Sequence, residues 1–572
     1  MAEKIISPGV FQNESDKSLV QRGIQGTSTA IVGPTVLGRP FVPTTVTSYS
    51  EFQSKFGTTF KSGSYYYEYL TSIAAREYFQ NGGQTLLVTR VVSGSGNVAT
   101  YASANVTTTN ASASFTLETL AWGSQMNNTS SLSGGALASG STNNVRWEIT
   151  NVNTGSGTFN LAIRAGNDND AQKNYIETWP NLSLDPNLPN FVTRVIGDNK
   201  PVYSVDTDGN PYINITGSYV NASQYVRVSS VPSPQVDSID NNGFYKSGSY
   251  LAGLPALGSG SFGGSFTGGV VATNIEQKMN ETITAANMEG FAVSDYNIAL
   301  NLLANNDEYK FNVLLAPAVS LDSAASTTII SIAEARGDAF APISAGAYGT
   351  SVVTATQTAA GQSSNYSAAY YPWIQLYNSN LGKNVWATST TVMGGVLAFN
   401  DQVGAEWFAP AGLNRGGVPS VLRAERKLSQ SDRDTLYAAN VNPLATFPGE
   451  GVVVFGQKTL QRRATSLDRV NVRRLLIALK DFIGQVGNNL VFEQNTNATR
   501  NRFLAQVNPY MESVVQRQGL YAYKVVMDDT NNTADVIDRN QLVGQIYIQP
   551  TKTAEFIILN FNVLPTGATF PA

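Results

Sequence analysis

The 572-residue sequence contains no cysteine and no histidine. It therefore offers no disulfide, thiol nucleophile, Cys/His zinc site, Ser-His-Asp triad or imidazole switch near neutral pH. Charge is scarce too: 14% of residues are charged, against roughly 25% in typical soluble globular proteins. The 37 basic and 41 acidic side chains leave a net charge of −4, so no global field favours nucleic acid or an anionic membrane. Long apolar runs are missing. The run at Val452–Phe455 is far shorter than the roughly 20 residues that span a bilayer. The opening MAEKIISPGVFQ has no apolar stretch of a secretory signal before its Pro and Gly. These absences predict a chain kept in a cytosol-like compartment without membrane insertion. Catalysis is left only carboxylate, Lys or Tyr chemistry, of a glycosidase-like or oxygen-ligated metal type.

What remains is a polar, turn-rich chain with 42% hydrophobic residues and 50 glycines. At about 150 residues per domain, its length corresponds to roughly four domains with their own cores. Residues 1–22 lack apolar periodicity, and Ser7-Pro8-Gly9 holds them extended. A strand is expected at Ala30–Val32. Ser48 and Glu51 form a capping-box signature for a short helix ending near Gly57. From Tyr66, the positions Leu70, Ile73, Ala74 and Tyr78 predict a helix that stops at Asn81-Gly82-Gly83, before a β-branched strand at 85–92. Between about 93 and 290 the text turns to Ser, Thr, Asn and Gly with short alternating runs such as Val145–Ile149 and Tyr225–Val228, which predicts one or two β-rich inserted domains. Residues 101–290 carry 8 basic against 14 acidic side chains, as a solvated outer surface would.

Helix–strand alternation returns at Ser294, read as an N-cap, with strands near 311–315 and 339–343 around a helix at 327–336. In the last third, Val472, Leu475, Leu476, Leu479, Phe482, Ile483 and Val486 describe one face of an amphipathic helix. A second helix starts near Ala498, and Asn508-Pro509 reads as a fresh start for a further turn ending at Gly519. A final strand places Ile557, Leu559, Phe561 and Val563 on one face and Phe556 and Ile558 on the other.

Three motif matches fail their context. In Gly451-Val-Val-Val-Phe-Gly456-Gln457-Lys458, Gln457 separates glycine from lysine and valines fill the phosphate loop, so a buried strand is the better reading. Gly258, Gly260 and Gly263 spell GxGxxG inside Gly/Ser-rich text and read as a flexible loop. Asp206, Asp208 and Asn210 resemble a calcium loop, but Gly209 is misplaced and Gly217 stands where a bidentate Glu belongs, so a hairpin turn is expected. More informative is the basic stretch Lys458, Arg462, Arg463, Arg469, Arg473, Arg474 and Lys480, opposed by Asp468 alone. Arg469, Arg473 and Lys480 share one helical side. That side is either a solvated face with internal carboxylate partners or a docking face for an acidic protein surface; no aromatic residues interleave the charges as a nucleic-acid groove would need.

Several segments together resemble the tail sheath proteins of contractile-tailed bacteriophages. They include GPTVLGRPFVPTTVTSYSEFQSKFG at Gly33–Gly57, FQNGGQTLLVTRVV at Phe79–Val92 and FAPAGLNRGG at Phe408–Gly417. Further along come LYAANVNPLATFPGEGVVVFGQKTL at Leu436–Leu460, LDRVNVRRLLIALKDFI at Leu467–Ile483 and VFEQNTNATRNRF at Val491–Phe503. The resemblance implies an α+β multidomain protein, with an α/β sheath core built from N- and C-terminal parts, β-rich inserted outer domains and extended terminal arms. The implied divisions are an arm at 1–22, core at 23–95, outer insert at 96–290, α/β core at 291–425, a tube-facing domain at 426–550 and a C-terminal arm at 551–572.

By the same resemblance the chain is a structural subunit without enzyme activity or cofactor. Its copies form sixfold rings stacked as a helical tube around a tail tube protein, with baseplate and tail terminator proteins as further partners. The sheath is assembled in the host cytoplasm and is part of the virion tail. It shortens from a metastable extended state and drives the tube through the host envelope. The implied strand-exchange residues are Ile5, Ile6, Val10 and Phe11 in one arm and Phe556, Ile557, Ile558, Leu559 and Phe561 in the other. Arg469, Arg473 and Lys480 are the candidates for contact with the tube. The alternatives are another self-assembling virion or surface-layer protein, or a carboxylate-based glycan hydrolase in the insert.

Overall fold

The computed structural model of the chain describes residues 28–62, 64–92, 101–129, 132–232, 253–263 and 275–556. It is an α+β multidomain fold. The strand Ser28–Gly33 is apolar on both faces and accordingly lies inside a sheet, parallel to Thr85–Arg90 on one side and to Val313–Leu315 on the other. Ile31 registers with both Val88 and Leu315. Thr44–Val46 closes the far edge antiparallel to Thr85–Arg90. A second sheet runs in the order Ala341–Ser344, Ser367–Tyr371, Val441–Phe447 and Gly451–Val454, with two parallel pairs and one antiparallel pair. Phe340 joins the two sheets: its N–H donates to the Asn312 carbonyl and its own carbonyl accepts from Leu314, both at 2.9 Å. Gly451–Val454 is the strand expected in place of a phosphate loop.

Two helices cover this layer, α1 at Leu70–Gln80 and α2 at Thr390–Val403. They approach closely because α2 carries Gly394 and Gly395. A Cβ on Gly395 would lie 2.8 Å from the Glu77 carbonyl oxygen, and one on Gly394 2.6 Å from Leu315. Helix α1 starts later than its pattern suggests, because Tyr65–Glu68 pairs with Thr59–Ser62 as a hairpin. Ser294 is not an N-cap either. The helix Val293–Leu302 begins after Ala292, whose N–H donates to Asp295 at 2.9 Å.

The described residues of the polar stretch from 101 to 263 are organised around antiparallel strands. Tyr175–Ser183, Thr158–Ala165, Val145–Asn153 and Gly258–Ser261 form one sheet, and Val226–Ser230, Ala113–Trp122 and Tyr101–Thr107 form another. Their inner faces meet where Phe115 stacks on Phe159 at 5.4 Å. The glycine motif is therefore strand, not flexible loop. Gly260 sits opposite Trp147, and a Cβ there would lie 2.4 Å from the indole, so the small residue lets the sheet pass the ring. Asp206–Asn210 is the turn of a hairpin between Lys200–Val205 and Pro211–Thr216, with Asp206 accepting from the N–H groups of Asp208 and Asn210.

The insert returns to the layer at Glu289, which is wholly buried. One oxygen accepts from the Leu70 N–H at 2.7 Å and so caps α1, while the other has no partner. The Tyr69 and Tyr296 hydroxyls are likewise buried and unpartnered. Burial pushes the Glu289 carboxyl up to about 8.

Beyond residue 460 lie α3 at Val470–Asn488 and α4 at Asn497–Gln516, followed by an antiparallel pair, Leu520–Val526 with Gln545–Pro550. Pro509 does not open a new helix; α4 runs through it. An interior proline costs roughly 3 kcal/mol. It is offset because Phe503, Val507, Met511 and Val514 continue one buried stripe across it, in a cluster with Trp407, Leu475 and Leu479. Among the described residues, no helix is long and apolar enough to cross a membrane.

Candidate subunit interface

The N-terminal end of α3 is where the basic stretch and the start of the C-terminal segment meet. Arg469 stands at the N-cap position of α3. Its Nε and Nη2 donate to the two Glu555 oxygens at 2.7 and 3.0 Å, and its Nη1 lies 2.9 Å from Asp468. Such a bidentate pair fixes orientation as well as attraction. Glu555 also accepts from the Tyr437 hydroxyl at 2.7 Å and from Gln457 Nε2 at 3.1 Å, and that same amide nitrogen donates to Thr553 at 2.6 Å. Burial by itself raises the Glu555 carboxyl; the bonds from Arg469, Tyr437 and Gln457 outweigh it and hold the carboxyl below its ordinary value. Gln457, the residue that spoils the phosphate-loop motif, thus helps tie residues 551–555 to the body. Immediately beyond the tie Phe556 is 79% exposed.

Next to this tie is a cleft of about 650 Å³ between residues 464–472 and 550–556. The adjacent strand pair Leu520–Val526 and Gln545–Pro550 has no further strand partner among the described residues. It presents Tyr521 and Tyr547 to solvent and packs Tyr523, Val525, Ile546 and Ile548 inward.

Of the three expected tube-contact residues, the structure brings all to one side of α3, and Lys480 alone of the three is exposed. Arg473 is 3% exposed, with its guanidinium 4.1 Å from the Tyr366 ring, and burial lowers its pKa. Lys480 is exposed, with Nζ 3.3 Å from the Tyr366 hydroxyl. Arg469 is engaged with Glu555 and Asp468. The difference arises because Tyr366, just before the strand Ser367–Tyr371, lies against the polar side of the helix and covers Arg473. Arg474 is turned inward and forms a bidentate pair with Asp401 at 2.6 and 2.8 Å.

Of the strand-exchange residues, Phe556 is described above. Ile5, Ile6, Val10, Phe11, Ile557, Ile558, Leu559 and Phe561 lie outside the described residues. Charge pattern alone missed Tyr366, Tyr437, Gln457 and Glu555, which are far from α3 in sequence or uncharged. Among the described residues no cluster of carboxylates could hold a metal ion.

Residues 281–460 match the family described as phage tail sheath protein central domain, and residues 463–564 match the phage tail sheath C-terminal domain. The tail sheath protein of Vibrio phage KVP40 is 39% identical over 194 residues, covering 34% of this chain and 29% of that one. The tail sheath protein of Enterobacteria phage T4 is 38% identical over 208 residues, covering 36% and 32%. The chain thus spans less than a third of the length of each of these relatives. A sheath tail protein from Listeria innocua, known from its crystal structure, shares the fold with a TM-score of 0.52 at 10% identity, over 93% of this chain and 94% of that one.

Proposed function

The chain belongs to the phage tail sheath family, and from that premise we propose that it is a structural, non-catalytic subunit that polymerises into a contractile helical tube around a tail tube in the virion. Its partners are further copies of itself in stacked sixfold rings, a tube protein, and baseplate and terminator proteins, assembled in the host cytoplasm. The layer formed with α1 and α2 is the sheath core, the β-rich insert faces outward, and the region of α3 and α4 faces the tube.

The observation that supports this most is the tie at Glu555. It holds residues 551–555 to their own body and leaves Phe556 exposed, beside a two-stranded sheet that has no further strand partner among the described residues. Residues 5–11 and 555–563 are the strands that copies exchange, and the sheet of Leu520–Val526 and Gln545–Pro550 is their receiver. Each backbone hydrogen bond adds only about 0.5–1.5 kcal/mol net, but a run of them keeps an arm attached while the globular bodies slide. Contraction is then downhill from a metastable extended lattice, and it drives the tube through the host envelope. On the tube-facing side Lys480 is the outward charge. Arg469 and Arg473 support that surface from within.

Negative-stain microscopy of the purified chain should show striated hollow tubes. A chain lacking residues 1–22 should remain folded and fail to form them. Normal tubes from that chain would remove the arm from the mechanism, and flat arrays or persistent monomers from the full chain would overturn the sheath assignment.

A further inference from the structure

Where the β-rich insert meets the core there is a second cleft, of about 460 Å³. Small-molecule sites run from roughly 300 to 1,000 Å³ and favour such seams between structural units. The cleft is walled by residues between 37 and 56 on the core side and between 120 and 225 on the insert side. Val42, Phe56, Leu120, Met126 and Ile176 give it an apolar surface. None of the described residues that line it is acidic, and two are basic, Arg39 and Lys55. Lys55 is compensated, with Glu51 at 2.8 Å. Arg39 is not: its Nε donates to the Leu120 carbonyl at 3.2 Å, while Nη1 and Nη2 have no hydrogen-bond partner and no carboxylate pairs with them among the described residues. Burial, with a smaller contribution from nearby Arg227, pushes its pKa down to about 10.

The turn that carries Arg39 is held from behind. Wholly buried Arg90 donates to the Gly38 and Trp122 carbonyls, and the Trp122 N–H donates to Gly38 at 3.1 Å. Gly38 has φ +100°, and a Cβ there would lie 2.8 Å from the Phe56 ring, so only glycine lets the turn lie against that wall. With Nε bound to an insert carbonyl, the guanidinium is fixed before anything binds. Such preorganisation lowers the cost of binding. A charge drawn out of water without a counterion is costly, and the planar guanidinium fork matches the two oxygens of a carboxylate. With a single uncompensated cation on the wall, a dianion would bring surplus charge into an apolar cleft, and a neutral molecule would leave Arg39 unpaired.

We propose that this cleft binds an amphipathic monoanion, an acyl or aryl carboxylate, whose apolar body lies against Phe56, Met126 and Ile176 and whose carboxylate accepts from the Arg39 Nη1 and Nη2. Because its walls belong to both core and insert, occupancy stabilises the seam between them. The site goes beyond the sheath reading and is separate from the strand-exchange and tube contacts.

Calorimetric titration of the unassembled full chain with decanoate, below its micelle concentration, should show one saturable site per chain. Decanol, which lacks the charge, and butyrate, which lacks the body, should each bind about ten-fold or more weakly. Arg39→Gln removes the unpaired charge, so without decanoate it should melt no lower than the parent; it should weaken decanoate about ten-fold or more. Ala121→Phe fills the cleft from the insert wall and should abolish the site while leaving Arg39 in place. Equal affinity for decanoate and decanol, or unchanged affinity in Arg39→Gln, would overturn the carboxylate role of Arg39. Unchanged affinity in Ala121→Phe would put the binding elsewhere, and no saturable binding would overturn the site altogether. If decanoate fails to bind and Arg39→Gln instead raises the critical concentration for assembly, the cleft belongs to a neighbouring copy and the small-molecule site is likewise refuted.

Discussion

The β-rich insert and the C-terminal helical region treat charge in opposite ways. In the insert, Arg146 and Arg164 are at most 1% exposed and their countercharges are local. Arg164 lies 2.7 Å from Asp168 and 3.2 Å from Glu148, Arg146 lies 3.3 Å from Asp168, and Lys173 reaches Glu148 at 2.5 Å. In the C-terminal region two arginines at α3 instead pair with carboxylates from distant segments. Arg474 reaches Asp401 and Arg469 reaches Glu555, while Lys480, Arg462 and Arg463 stay outward. A network closed on itself stabilises one body and asks nothing of a neighbour. Pairs that stitch distant segments, with charges left over at the rim, suit a surface that other molecules complete.

The largest effect should come from breaking the closed network. Arg164→Ala leaves Asp168 and Glu148 buried with fewer countercharges, and stability to denaturant should fall by about 3–5 kcal/mol. A loss under about 1 kcal/mol would show that the insert's charges are not the buried lock that sets it apart.

At the seam, Glu289→Gln should change the pH dependence. With an ordinary value of 4.5 and a folded value of about 8, the carboxyl keeps its proton in the folded state while the unfolded chain loses it. Stability from this site therefore falls as pH rises from about 4.5 to 8, by at most about 1.4 kcal/mol per pH unit. The glutamine variant should lose that slope, and urea unfolding across the pH range measures it. An unchanged slope would mean that Glu289 does not titrate as its burial implies.

A smaller effect is expected at the C-terminal tie. Glu555 is held below its ordinary value of 4.5, so its contribution is present above that pH and is lost as pH falls through the folded value. Glu555→Gln should cost about 1 kcal/mol or less at neutral pH, since the pair is partly exposed. It should nonetheless speed protease cleavage after residue 550 several-fold, as should acidification through the lowered folded value of the carboxyl. The smallest change belongs to Lys480→Glu. Subunit stability should move by no more than about 0.5 kcal/mol, whereas co-sedimentation with the tube should weaken more than sheath self-association. Equal weakening of both would place Lys480 in a contact between sheath subunits.

Local pattern made much of the fold legible. The Leu475–Val486 stripe, the strand at Ala30–Val32 and the hairpin at Asp206–Asn210 follow from periodicity and turn chemistry, which act over a few residues. Pro509 and Gly260 did not yield to such reading. Each breaks a local preference for a reason that lies elsewhere in the chain: a buried stripe in one case, a tryptophan on the next strand in the other. For the interface, the sequence showed where the basic residues are but not which of them remain available.

Composition and spacing by themselves determined that this chain has no thiol or imidazole chemistry, that it alternates α/β text with a polar β-rich insert, and that its α3 segment is amphipathic and basic. Only the tertiary structure decided that Arg473 lies under Tyr366, that Glu555 ties the C-terminal segment to Arg469, and that Arg39 lines a cleft between core and insert with no countercharge among the described residues. The physical reason is range. Helical and strand periodicity are properties of neighbours along the chain, whereas burial and countercharge depend on residues tens to hundreds of positions away that only packing brings within a few ångströms.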